Sequence, residues 1–134
     1  GHHLVILYPI PIPIPIPSVG WNLPQEFLRR FKNSDAQISI DELKVNPITT
    51  SYEVYKQRTQ SSFDLFDSVT HQNIHRVYPH QLFCDLAIKA RCVTHDTEHL
   101  YYYDDDHPSV KGAEMITSLL VDAVAIAGAE LRSQ

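Results

Sequence analysis

Four ionisable residues stand together near the C-terminal end of this 134-residue chain, Asp104-Asp105-Asp106-His107, between the aromatic run Tyr101-Tyr102-Tyr103 and the segment Pro108-Ser109-Val110-Lys111-Gly112-Ala113. An Asp three residues ahead of a His can lie beside the imidazole, hold its tautomer and stabilise its protonated form. That is the base-plus-orienter half of a hydrolytic triad, with His107 as base and Asp104 as orienter. The same cluster offers oxygen and imidazole ligands to a metal. Adjacent carboxylates on an extended backbone cannot all point one way, so at most Asp104 and Asp106 converge. The metal reading is the weaker one, and neither metal nor cofactor is expected. His71/His75 and His95/His99 are spaced i, i+4, which suits zinc only on a helix. Neither pair falls in a helical pattern, and both read as solvent-exposed histidines.

The elements that must position the cluster are legible on either side of it. Leu100 to Tyr103 reads as a strand. Ser109 can cap a helix whose apolar residues Met115, Ile116, Leu119, Leu120, Ala123, Val124 and Ala127 recur at helical spacing. The ionisable groups then sit at the C-terminal edge of a strand, where open α/β sheets bind ligands. Upstream, Leu4 to Tyr8 is a continuous apolar run of the kind found in strands buried on both faces. Gln25 to Phe31 reads as a short helix with Phe27, Leu28 and Phe31 on one face. Ile38 and Ile40 alternate with polar residues, predicting a brief strand. A helix from about Tyr52 to Val69, capped within Thr49-Thr50-Ser51, carries Tyr52, Tyr55, Phe63, Phe66 and Val69 on a stripe, with Leu65 beside it. Ile74 to Pro79 reads as the next strand. Alternating strands and helices imply a parallel, doubly wound sheet.

Composition sets the frame. The length allows at most one domain. The 43% apolar and 20% charged residues fit a soluble protein, and a net charge of −5 without a basic patch argues against a nucleic-acid surface. No apolar run reaches the roughly 18–20 residues of a membrane span, and no signal peptide is evident. Pro9 to Pro17 is a strict Ile-Pro repeat. Proline removes the backbone donor, so this stretch is neither a central strand nor a helix but an extended loop.

Asp104-x-x-His107 followed by Pro-Ser and Gly-Ala resembles the C-terminal block of the SGNH (GDSL-like) hydrolases, closest to the SGNH domains fused to membrane acyltransferases that O-acylate cell-surface sugars. Pro108 stands where that pattern has Leu. Tyr8-Pro9-Ile10-Pro11, Val19-Gly20-Trp21-Asn22-Leu23-Pro24, Tyr55 and Arg58 also match, with extra Ile-Pro units between the first two and Ser18 in place of an acidic residue. The resemblance runs from about Leu4 to Val124. It implies an α/β fold of the three-layer doubly wound, flavodoxin-like type, of which this chain would be the C-terminal portion, a single partial domain over residues 1–134. It implies His107 as general base and Asp104 as its partner, acting on acylated carbohydrate or a small ester in an extracytoplasmic setting. The missing N-terminal part of the domain or a membrane acyltransferase domain would be the partner. Relatives also place a cysteine pair near Cys84 and Cys92, which implies a short-loop disulfide. The alternative is a pair of buried free thiols.

One part of the family's equipment is absent. No Gly-Asp-Ser occurs, and none of the four glycines precedes an Asp-Ser pair. Loss of a triad member costs several orders of magnitude, and loss of one oxyanion donor about 10²–10³. Little or no esterase activity is expected from this polypeptide alone. The rival expectation is a non-catalytic, self-associating module, a dimer covering the exposed edge of a half-sheet.

Overall fold

The computed structural model describes residues 2–11 and 23–133, so the Ile-Pro repeat beyond Pro11 and the Val19 to Asn22 match lie outside the described residues. The chain forms β1 (Leu4–Leu7), α1 (Leu23–Phe31), α2 (Ala36–Val45), β2 (Thr49–Ser51), α3 (Tyr52–Ser68), β3 (Ile74–Val77), one turn of 3-10 helix at Pro79–Leu82, β4 (Arg91–Val93) and α4 (Val110–Arg132). It is an α/β protein. β1 and β3 pair in parallel, Leu4 opposite Ile74 through Leu7 opposite Val77, and β2 and β4 pair antiparallel, Thr50 opposite Cys92.

Most elements follow from local signals. The Ser51 hydroxyl accepts from Val54 N–H and starts α3, and the Ser109 hydroxyl accepts from Gly112 N–H and starts α4. Along α4, Gly112, Ile116 and Ala127 are buried, and the helix packs across β1, β3 and the 3-10 turn. Val124, expected on that stripe, is 59% exposed, beside exposed Val121 and Ile126. By length and composition α4 is also apolar enough to cross a membrane. That corrects the reading that nothing in the chain reaches a span's length; the periodic stripe and the charged Glu114 and Asp122 had hidden the run.

Elsewhere tertiary context overrides the pattern. Ile38 and Ile40, expected in a strand, belong to α2, where Ser39 and Leu43 are buried one turn apart. Two alternating residues are too few to separate a period of 2 from 3.6. In α1, Leu28 faces solvent and Glu26 is buried in its place. The Glu26 carboxylate is gripped by Arg29 Nε at 2.7 Å, Arg29 Nη2 at 2.6 Å and Arg30 Nε at 2.8 Å. These bonds, the Arg29 pair foremost, outweigh burial and hold its carboxyl below the ordinary carboxylate range. β1 is not buried on both faces: Leu4 is exposed and Val5, Ile6 and Leu7 only partly covered. Leu100 to Tyr103 is not a strand either. Only isolated bridges form there, His95 with Leu100 and Tyr102 with Pro108.

Cys84 and Cys92 form a disulfide. It closes a turn in which Asp85 and Ala90 adopt φ of 61° and 59°. The Asp85 carboxylate accepts from Ala90 N–H at 2.7 Å and Lys89 Nζ at 2.9 Å, steadying those two left-handed residues. Phe83, buried beside the disulfide, packs against Tyr101 and Tyr102 and so joins this turn to the chain entering the acidic loop.

Candidate functional site

The segment 101–109 is a self-closing loop rather than a strand end. Tyr103 N–H donates to the His107 carbonyl at 3.1 Å, and Ser109 N–H donates to the Tyr101 carbonyl at 2.9 Å. Backbone groups that would have joined a sheet neighbour are consumed inside the loop. Within it, Asp104 Oδ1 accepts from Asp106 N–H at 3.0 Å and His107 N–H at 2.7 Å, while Oδ2 lies 2.8 Å from His107 Nδ1. Three bonds from one carboxylate fold the loop around Asp104 and place the imidazole against it.

Asp106 Oδ1 approaches the same Nδ1 at 2.7 Å. The convergence expected of Asp104 and Asp106 is therefore present, and its focus is a ring nitrogen. Three ligand atoms from Asp104, Asp106 and His107 lie close enough to share a cation. A proton on Nδ1 satisfies the same arrangement, leaving Nε2 as the acceptor. Desolvation pushes the Asp104 carboxyl up, but the two backbone N–H groups and the imidazole outweigh it and hold the carboxyl at about 2. The Asp104 hydrogen bond, then the charges of Asp104, Asp106 and Asp105, raise His107 above its ordinary value against slight desolvation. The His107 side chain is 60% exposed, and the exposed Tyr103 ring stacks on it at 5.4 Å between centroids.

The loop is anchored from both sides. The Ser109 hydroxyl donates to the Leu100 carbonyl at 2.7 Å and accepts from Gly112 N–H at 3.1 Å, so it is committed to structure and offers no nucleophile. Tyr101 and Tyr102 are both buried and Tyr103 is 61% exposed. A strand would alternate these side chains between core and surface, and two adjacent buried tyrosines are possible because the backbone here is not a strand. The Tyr102 hydroxyl donates to the Pro11 carbonyl, and the Tyr55 hydroxyl to the Pro9 carbonyl at 2.7 Å. The start of the proline segment is thereby tied to the loop. No side chain hydrogen-bonds to His107 Nε2 among the described residues.

Sequence reasoning missed four features. His95, expected to be exposed, is buried, accepting from Ile48 N–H on Nε2 at 2.9 Å with Nδ1 at 2.7 Å from the Asp96 carbonyl. Those contacts fix its tautomer, and burial lowers its pKa. His75, also expected to be exposed, is largely covered. Asp96 and His99 repeat the Asp-x-x-His turn, with Asp96 Oδ1 accepting from Glu98 and His99 N–H groups at 2.7 Å each. Their spacing was visible, but nothing followed it to single it out. They sit at the rim of a cavity of about 410 Å³ formed with Phe27, Phe31, Ile40 and Leu43. His80, whose buried Nδ1 has no hydrogen-bond partner among the described residues, lies among Tyr52, Tyr55, Phe63 and Tyr78. Only tertiary packing brings those rings together.

The comparison with protein families places this α/β chain in the SGNH class. The family model described as "SGNH domain (fused to AT3 domains)" matches residues 1–122, and the chain belongs to that family. No curated protein and no solved structure matches it. Residues 123–134, which include the last ten residues of α4, lie beyond the match.

Proposed function

We propose that this chain carries the base half of an acyl-ester hydrolase or O-acyltransferase site acting on O-acylated cell-surface carbohydrate, with His107 as general base and Asp104 as its positioning partner. The observation that carries the reading is the 2.8 Å contact between Asp104 Oδ2 and His107 Nδ1, which leaves Nε2 free to take a proton. A serine hydroxyl delivered to Nε2 would pass its proton there as its oxygen attacks the ester carbonyl. The imidazolium then faces Asp104 and Asp106, and it returns the proton to the departing alkoxide as the tetrahedral intermediate collapses. The serine is supplied by another part of the assembled domain. An AT3 membrane acyltransferase domain is the partner of this reading and an extracytoplasmic face its setting. β1 and β3 then belong to a three-layer, doubly wound sheet.

A second reading has its own support: no Gly-Asp-Ser occurs in the sequence, and the Ser109 hydroxyl is consumed by the helix cap. In that reading the pair is a remnant within a self-associating, non-catalytic module. Hydrolysis of p-nitrophenyl acetate by the purified chain beside His107→Ala separates the two. Turnover above buffer that disappears in the variant supports the catalytic reading. Equal background rates in both support the remnant.

A further inference from the structure

His3, His75 and Glu130 come from three separate elements and meet far from the acidic loop. His3 immediately precedes β1, where Leu4 N–H donates to the Asn73 carbonyl at 3.0 Å and Asn73 Nδ2 donates to the His2 carbonyl at 3.1 Å. His75 lies on β3, and Glu130 in the last turn of α4. His3 Nδ1 and His75 Nε2 are 2.8 Å apart, and each lies 3.6 Å from Glu130 Oε2. The two imidazole side chains are 4% and 13% exposed, and the carboxylate 50%.

A triangle with those sides has a point about 2.0 Å from all three corners, the bond length of zinc to imidazole nitrogen and carboxylate oxygen; the two rings, which now stand end to end with centroids 5.1 Å apart, would have to turn their nitrogens onto it. Two imidazoles and one carboxylate form a nitrogen-rich set that suits zinc and its neighbours and not calcium or magnesium, which require oxygen. The buried rings give an ion a dry side, and the half-exposed carboxylate leaves a wet one.

We propose that His3, His75 and Glu130 form a binding site for one zinc-like divalent transition metal, with a fourth position open to water. Its role is structural. Glu130 lies 21 residues beyond the Ser109 cap, about 30 Å along the helix at the α-helical rise, so an ion there takes no part in chemistry at His107. It clamps the last turns of α4 over the beginnings of β1 and β3. That end of the helix needs a fastening, because Ala127 is its only buried residue after Ile116.

The same contacts could instead be a metal-free pair of imidazoles sharing one proton, with Glu130 as counter-charge. Titration of the metal-free chain with Zn²⁺ against a chromophoric chelator, with Co²⁺ as a spectroscopic substitute, decides between them. The expected result is one Zn²⁺ per chain, a raised Tm with zinc, and Co²⁺ absorption of four-coordinate intensity. His75→Ala and Glu130→Gln should each weaken binding by at least about tenfold, the loss that removing a mere second-shell partner can cause. His2→Ala and His107→Ala should leave it unchanged. Glu130→Gln, on a half-exposed helix surface, keeps the test decisive if His75→Ala fails to fold. Absence of zinc binding overturns the proposal. So does binding that survives Glu130→Gln and is lost in His107→Ala, which would place the ion in the acidic loop.

Discussion

A Cβ placed on Gly112 would collide with the carbonyl oxygen of Tyr101 and come within 3.1 Å of its carbon and 3.4 Å of Pro108 Cβ. That close approach lets the first turn of α4 sit against the loop carrying Asp104 and His107, with Ser109 bridging the two. The obstacle is backbone and cannot swing aside. Gly112→Ala is therefore expected to destabilise the protein by about 1–3 kcal/mol, the usual cost of forcing atoms into a packed site. Gly128, on the same helix, has only Arg132 Nη1 at 3.7 Å near its Cβ position. Gly128→Ala should stabilise by about 0.5–1 kcal/mol through helix propensity. Urea denaturation of the two variants checks both signs.

His107 should titrate above 6.5, its ordinary value, because Asp104 and Asp106 favour the imidazolium. Asp104→Asn removes the first and largest of these causes and should bring the value down, as read from the imidazole proton shifts by NMR. The raised pKa adds stability that is fully present below 6.5 and lost as pH rises through the folded value. Asp104 works in the other window: its contribution is present above the ordinary 3.8 and is lost as pH falls toward about 2. If the catalytic reading holds, activity rises with pH through the His107 titration, since only the neutral ring accepts a proton.

Burial depresses His95, despite help from the Asp96 carbonyl and charge, and likewise His80. A depressed pKa adds stability that is present above the ordinary 6.5 and lost as pH falls through the folded value. His107 has the opposite sign but is largely exposed, so solvent screening weakens it. Thermal melts should therefore show a falling Tm between pH 7.5 and 5.5. His95→Gln should flatten that slope while lowering Tm at pH 7.5, because Ile48 N–H loses a well-placed buried acceptor.

The Cys84–Cys92 bond closes a loop of sequence separation 8, for which the chain-entropy estimate is about 2–3 kcal/mol. Cys84→Ser with Cys92→Ser should lower unfolding stability by about that much, measured by urea titration. Ala90→Gly should recover part of it, because glycine adopts φ near +60° without the penalty alanine bears.

What the sequence determined by itself was local. Ser51 and Ser109 start their helices because a hydroxyl three residues ahead of an N–H caps it. Tyr52 to Ser68 and Val110 to Arg132 are long enough for their periodicity to be unambiguous. Asp104 meets His107 because they stand three positions apart, and the Cys84–Cys92 pairing followed only from the family likeness. The tertiary structure decided whatever depends on which groups already have partners. Leu100 to Tyr103 has strand-forming residues but spends its hydrogen bonds on Thr94, His107 and Ser109, so no strand forms. Ile38 and Ile40 are too short a signal to resist the helix that buries Leu43. His95 is buried and His75 largely covered, though both are unremarkable at i, i+4 spacing, because chain 47 residues away and 72 residues away folds over them. His3, His75 and Glu130 share no spacing at all. Their meeting rests on strand register and on the path of α4, which no local pattern encodes.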